Sequence, residues 1–277
     1  MTKVETVMRT QDRDSVAPLA NVAGWDINIR DLDEAVERIA DAAEQGQGFL
    51  TVTLNLDLLV KLRQNEAFRR AVSKARFLTA DGEPVARLAR RQHAAIKRTT
   101  GADLVVPLAQ EAARRGIPVY LFGASDDALA DAAADLTERC DGKLDVAGTW
   151  SPSRNFDPTG PEADEAIDRI AQSGARLCFL ALGAPKQEIL AARAVERGVK
   201  VGFIGCGAAV DFLARRQIRA PQFMQDHGLE WLWRLSTNPR RLAARYAQCA
   251  LLLADLEIVA PLRARGRNLF GLSNRMG

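Results

Sequence analysis

The sequence predicts an α/β fold: a mostly parallel sheet flanked by helices, followed by a helical C-terminal appendage. Three observations predict it. Short β-branched or aromatic runs alternate with longer stretches of helical period, the pattern of βαβ units. The runs FLTVT, VYLF and LCFLAL are nearly continuous apolar segments, as strands buried on both faces of a parallel sheet require. Near residue 208 the alternation stops, and helix-period stretches then follow one another with no strand between them.

In chain order, residues 1 to about 20 are polar and irregular and are expected to be mobile. Val22–Ile27 reads as a short first strand. The stretch 31–46 opens on Asp31 with Glu34 three residues on, a capping-box arrangement. Phe49–Thr53, Arg76–Ala80, Pro118–Phe122, Leu144–Gly148, Leu177–Leu182 and Val199–Ile204 are the further strand candidates. Helical stretches at 56–73, 83–92, 102–115, 126–140, 161–173 and 186–197 separate them. Beyond these, Ala208–Ala214 reads as one short helix, Ala220-Pro221 as punctuation, and Gly228–Leu235 and Asn238–Val259 as two helices. The implied organisation is a mobile segment at 1–20, a Rossmann-like α/β body at 21–207 and an appendage at 208–277.

The chain has 277 residues, 47% hydrophobic and 26% charged, which excludes a mainly disordered or fibrous protein. Cys140, Cys178, Cys206 and Cys249 form no Cys-x-x-Cys pair, and His93 and His227 are the only histidines. That argues against a Cys/His zinc site. Cys178 and Cys206 fall in apolar strand runs and are expected to be buried free thiols, as suits a reducing cytoplasm. The N-terminus has no apolar signal core, and no run approaches the ~20 apolar residues of a membrane span. A cytoplasmic or membrane-surface protein is expected. The net charge of +3 conceals an asymmetry: from Ala214 onward there are 11 arginines and 4 acids, net +7, against 27 basic and 31 acidic residues before it, net −4.

Open α/β sheets bind ligands at the carboxyl ends of their strands, so the residues following each strand are the candidates. They are Thr53-Leu-Asn55, Asp81-Gly82, Gly123-Ala-Ser125, Gly183 to Glu188, and Gly205-Cys-Gly207. Gly183 can take the left-handed turn that ends a strand, and Pro185 suits a first helical position. Free backbone N–H groups there, with Lys186 beside them, make an anion site for a diphosphate. Gln187 can donate and accept, suiting a sugar hydroxyl or a uracil edge. The bland alternative is an ordinary βα turn with surface Lys and Gln. Gly205-Cys-Gly207 begins like a dinucleotide fingerprint but has Val210 where the third glycine belongs. It allows either close approach of a phosphate or tight helix–strand packing.

Asp81 is either a general base at the mouth of the cleft or the cap of the next helix. Thr53 and Asn55 are substrate hydrogen-bonding groups or a strand end and a helix cap. Asp31-Leu-Asp33 could hold a divalent metal, but it precedes a helix instead of following a strand, which favours the cap. In the appendage, Arg219, Arg234, Arg241 and Arg245 have the forked guanidiniums that suit diphosphate oxygens. With Trp231, Trp233 and Leu251-Leu-Leu253 they describe either a helix surface on anionic lipid or a solvated basic face over a packed apolar one.

These segments together resemble the WecG/TagA/CpsF glycosyltransferase family. The matching blocks are TLNLDLLV at 53–60, ADG at 80–82, TTGADL at 99–104, LFGAS at 121–125 and ALGAPKQE at 181–188. GCGAAVDFLA at 205–214, RAPQFMQDHGLEWLWRL at 219–235 and NPRRLAARY at 238–246 follow in the family's order. The resemblance implies inverting transfer of a sugar from a UDP-sugar to a polyprenyl-diphosphate-linked saccharide at the inner membrane face, with no required metal and no cofactor. It puts the base on Asp81, substrate contacts on Thr53 and Gln187, and diphosphate or membrane contacts on Arg219, Arg234, Arg241 and Arg245. ADG is followed here by Glu83-Pro84, where many N-acetylmannosamine-transferring members have glycine or small apolar residues. Exopolysaccharide-type members can carry proline there, and some of those are similar to glucosyl transferases. The implied donors are therefore UDP-N-acetylmannosamine, its uronic acid and UDP-glucose. A nucleic-acid partner is not expected, since few aromatics interleave with the arginines and the body is acidic. A homo-oligomer is left open. The doubly wound pattern alone would also suit an NAD(P)-dependent dehydrogenase, against which the incomplete glycine fingerprint counts.

Overall fold

A computed structural model describes residues 17–237 and 239–259. Six strands form one parallel sheet: β3 (Phe49–Leu54), β4 (Phe77–Ala80), β5 (Val119–Phe122), β6 (Val146–Trp150), β7 (Leu177–Leu180) and β8 (Gly202–Gly205). Their order across the sheet is β4-β3-β8-β7-β5-β6, and every pairing is parallel. Side chains alternate along each strand, and the alternation splits the core in two. Leu50, Val52, Leu54, Leu78, Phe122 and Leu180 face one layer. Its helices are α2 (Leu56–Gln64), α3 (Glu66–Val72), α4 (Glu83–Arg90), α7 (Pro161–Gln172), α8 (Lys186–Glu196) and α12 (Pro239–Ala254). Phe49, Phe77, Leu121, Phe179 and Ile204 face the other, made by α1 (Leu32–Glu44), α5 (Gly101–Arg115), α6 (Asp126–Arg139) and α9 (Ala209–Leu213). Both faces are covered, which is why these strands read as unbroken apolar runs.

The elements depart from the expected ones in identifiable places. The single strand at 22–27 is a hairpin, β1 (Ala20–Val22) with β2 (Trp25–Ile27), turned at Ala23-Gly24. The expected mobile segment lies outside the described residues from 1 to 16. Leu19 donates to the Ile27 carbonyl and Ala20 is buried, so the end of that segment belongs to the hairpin. The stretch 56–73 is two helices, because Asn65 takes extended backbone and its side chain accepts the Phe68 N–H to cap the second. The fourth and last sheet strands begin two and three residues later than expected. Asp31 caps α1, accepting from the Glu34 N–H, which leaves it in the capping role.

After β8 the described residues are helical only: α9, an unforeseen α10 (Gln222–Asp226), α11 (Glu230–Thr237), α12 and a π-helical turn at Asp255–Val259. Residues 260–277, with four of the appendage arginines, lie outside the described residues. This segment packs back on the body. Leu242, Cys249 and Leu252 of α12 are buried. Arg245 pairs with Asp57 at 2.7 Å, Arg216 with Asp131 at 3.2 Å, and Arg219 with Asp103. In return Asp255 takes Arg63 at 3.0 Å, and Glu257 takes Arg87 at 2.5 Å and Arg91 at 3.2 Å.

Replacing the Asn65 cap tests the helix break directly. Asn65→Ala should cost about 1 kcal/mol of stability, the usual worth of an N-cap, measured as a lowered urea midpoint. An unchanged midpoint would mean that the break is not held by this side chain.

Candidate active site

The parallel register of β3 and β4 builds the site. Thr53 lies opposite Thr79 and Leu54 opposite Ala80, and the Asp81 N–H continues the ladder to the Leu54 carbonyl at 2.9 Å. Leu54 and Ala80 face the α2 side, so Thr53 and Asp81 project on the opposite side. Asp81 Oδ2 accepts from Thr53 Oγ1 at 3.2 Å and from Asn55 Nδ2 at 3.3 Å. The Asn55 oxygen meanwhile accepts the Leu58 N–H at 3.0 Å and caps α2. Asn55 is thus the helix cap that the sequence offered, and its amide nitrogen is also bonded to Asp81.

Asp81 does not cap α4. The N-cap of that helix is Gly82, at φ +76°, with no side-chain cap bond. The left-handed backbone at Gly82, easy for glycine, turns the chain into the helix one residue after Asp81 and leaves the carboxylate facing the cleft. Burial is the largest influence on this carboxyl and pushes it up. The Asn55 hydrogen bond pulls it down, Glu230 pushes it up, and Thr53 and Arg234 pull it down. The balance raises it from 3.8 to about 6.

Around this pair the loop at 98–100 closes the end of the sheet. Thr79 Oγ1 donates to the Thr99 carbonyl and the Thr99 N–H to the Ala80 carbonyl, both at 2.8 Å. Thr100 caps α5. A Cβ at Gly101 would stand 2.8 Å from the Gly205 carbonyl oxygen and 3.5 Å from Thr53 Oγ1, so Gly101 joins the ends of β8 and β3. Asp103, in the first turn of α5, pairs with Arg219 and, at 3.7 Å, with Arg98.

The loop after β7 forms the next part of the rim. Gly183 is left-handed at φ +75°, as the turn reading requires. Pro185 is the N-cap of α8 and not its first residue; the helix starts at Lys186, which is partly exposed. Gln187 is buried. Its oxygen accepts the Gly183 N–H at 3.1 Å and its nitrogen donates to Glu188 at 2.9 Å. It also packs on Gly205, where a Cβ would come within 2.4 Å of its nitrogen. Gly207 is at φ +53° with open space where a Cβ would stand. Gly123 is set apart: β5 lies four strands from β4, about 19 Å at the usual strand spacing. A Cβ there would stand 2.6 Å from the Ala181 carbonyl carbon, so close packing against the end of β7 already accounts for this glycine.

Among the arginines, Arg234 pairs with Glu230 at 2.7 Å, stacks on Phe212 with 5.6 Å to the ring centre, and is close enough to act on Asp81. Arg234 and Arg245 both act on the Tyr246 phenol. The side chain of Arg241 lies outside the described residues. The loop at Gly228 is tight against the Glu83 side chain, so the appendage rests on the residues that follow Asp81. Sequence reasoning gave no role to Gly101, Lys61, Glu188 or Glu230. Gly101, Glu188 and Glu230 fall inside the family-like blocks at 99–104, 181–188 and 219–235, while Lys61 falls just after the block at 53–60, and its signal is a spatial one.

A family model described as the glycosyl transferase WecG/TagA/CpsF family matches residues 20–265. The chain belongs to this family. It is therefore a glycosyltransferase of cell-surface polysaccharide biosynthesis. The dehydrogenase alternative is set aside by this membership. The sheet agrees: numbered along the chain, its six strands run 2-1-6-5-3-4, not the 3-2-1-4-5-6 of dinucleotide-binding folds.

Among the described residues of this WecG/TagA/CpsF-family protein, Glu188 is the other carboxyl that is raised. Burial raises it from 4.5 to about 7, against the lowering effects of the Gln187 hydrogen bond and Lys61. A carboxyl raised in the folded state favours folding while it is protonated, so this contribution is present below 4.5 and lost as pH rises through about 7. Relative to wild type, Glu188→Gln should therefore gain stability between pH 5 and pH 8, on the order of 1–3 kcal/mol. Thermal melts at the two pH values measure it. A pH-independent difference would show that Glu188 does not titrate in this range.

Proposed function

We propose that this protein transfers a sugar from a UDP-sugar to a polyprenyl-diphosphate-linked saccharide, with inversion, and that Asp81 is the base. The observation that carries this reading is the Asp81 carboxylate: it sits at the carboxyl end of a strand, is held by Thr53 and Asn55, caps nothing and is raised to about 6. A base raised to that value is ionised at neutral pH yet more basic than an ordinary aspartate. In one displacement Asp81 takes the proton of the acceptor hydroxyl, whose oxygen bonds to the anomeric carbon. The bond from that carbon to the diphosphate oxygen breaks, and UDP leaves from the opposite face with the bonding pair.

The donor lies across the ends of β3, β8 and β7. From Asp81 to the loop after β7 is three strand spacings, about 14 Å. The N-terminus of α8 with Lys186, the small residues Gly205 and Gly207, and Arg219 and Arg234 then receive the diphosphate charge. The described part of the appendage, up to residue 259, covers the cleft and brings it to the inner membrane face. The surface itself supports this role: the most exposed large apolar side chains among the described residues, Ile218, Phe223, Trp231, Leu232, Leu251 and Ile258, all belong to the appendage. Such a surface suits lipid contact beside cationic residues.

Asp81→Asn should stay folded and lose transfer by about 10²–10⁴-fold. In wild type, kcat/KM should rise with pH through about 6 and then level, because the base must be deprotonated. Near-normal transfer by a folded Asp81→Asn protein, or a flat profile from pH 5 to 8, would remove the assignment. The donor is read by assaying UDP-glucose, UDP-N-acetylmannosamine and its uronic acid with a polyprenyl-diphosphate-linked acceptor. One of the three should be turned over, and turnover of none would refute the donor class.

A further inference from the structure

Behind the loop that follows β7 lies a group of buried polar side chains that the transfer step above does not use. Glu188, in the first turn of α8, is 2% exposed. Its Oε1 accepts from Gln187, and its Oε2 has no hydrogen-bond partner among the described residues. Gln187 in turn holds the Gly183 N–H and lies against Gly205. From α2, Lys61 Nζ donates to the Ala184 carbonyl at 3.1 Å. Asp57, itself buried, pairs with that Lys61 at 2.8 Å and takes Arg245 of α12 on its other oxygen at 2.7 Å. The turn is thus tied at two backbone groups, the Gly183 amide through Gln187 to Glu188 and the Ala184 carbonyl through Lys61 to Asp57.

A buried carboxyl with one oxygen unpaired costs stability, and an apolar side chain of similar size would avoid that cost. What an apolar side chain lacks is an acceptor for the Gln187 nitrogen. That acceptor fixes which end of the Gln187 amide faces Gly183, since an amide offers donors at one end and an acceptor at the other. Lys61 likewise offers the Ala184 carbonyl a charged donor that water would not hold in place.

We propose that Glu188 and Lys61 are positioning residues that hold the turn at 183–186 in the shape in which its backbone and Lys186 meet the donor diphosphate. The inference rests on the reading of this turn as the donor side of the cleft.

The test is calorimetric titration of the full chain with UDP, beside donor KM and kcat, for wild type, Glu188→Leu, Glu188→Gln and Lys61→Met. Glu188→Leu and Lys61→Met should each weaken UDP binding and raise donor KM about tenfold, the effect of losing one hydrogen bond to a charged group, with kcat changed much less. Glu188→Gln keeps an acceptor oxygen and should return UDP affinity to near the wild-type value. That rescue, and a loss in KM without a matching loss in kcat, are outcomes a merely structural role would not give. Lys61 is partly exposed, so Lys61→Met carries the test if Glu188→Leu does not fold. Wild-type UDP affinity in Lys61→Met or in folded Glu188→Leu overturns the proposal, as does a Glu188→Gln protein as weak as Glu188→Leu. A wild-type protein that does not bind UDP overturns the donor reading itself and this inference with it.

Discussion

One hydrogen bond, from the Asp81 N–H to the Leu54 carbonyl, fixes the register on which the site depends. A shift of one residue in the pairing of β3 and β4 would turn every side chain to the other face of the sheet. Thr53 would then no longer face the Asp81 carboxylate, and Leu54 and Ala80 would leave the core they share with α2 and α4. The apolar cost of that slip and the loss of the site have one cause. The site is therefore stabilised by residues that never touch a ligand. Thr79 and Thr99 extend the same argument by tying the neighbouring loop to the end of β4.

Much of this was legible in the sequence for a simple reason. Strands buried on both sides admit almost only apolar residues, so FLTVT, VYLF and LCFLAL announce themselves, and the residues just beyond them are the candidate site. Thr53, Asn55 and Asp81 were found this way and the structure brings them into contact. What sequence alone left open were choices between local partners. Whether Asp81 caps a helix is decided by the backbone of Gly82, and Asn55 can cap α2 and bond Asp81 at once because its amide has two ends. Strand order was illegible because βαβ periodicity is the same for any order. The break at Asn65 was marked by a good capping residue inside a helical pattern, a signal weaker than the apolar periodicity on either side of it.

The charge asymmetry acquires a different meaning once the contacts are known. A tail of net +7 on a body of net −4 suggested a basic surface facing outward. Instead Arg216, Arg219 and Arg245 meet body carboxylates, while Asp255 and Glu257 meet body arginines. Much of the opposite charge serves to dock the chain on itself in a chosen orientation. Exposed pairs of this kind contribute little stability, but they disfavour wrong registers of α12 on α2 and of the turn at Asp255–Val259 on α2 and α4. The buried Leu242, Cys249 and Leu252 supply the apolar area that holds the docked state.

Docking of the appendage also sets the electrostatics of the site. Glu230 and Arg234 stand one helical turn apart and pair with each other, and they act on Asp81 in opposite directions. Burial exceeds either of them and is the largest influence on that carboxyl. The dielectric surroundings, more than any single charge, hold Asp81 in the range where it can accept a proton and still be ionised at neutral pH. The push from Glu230 is partly cancelled by Arg234. A segment that contributes no strand to the sheet thus adds both a raising and a lowering influence to a carboxylate at the end of one of its strands.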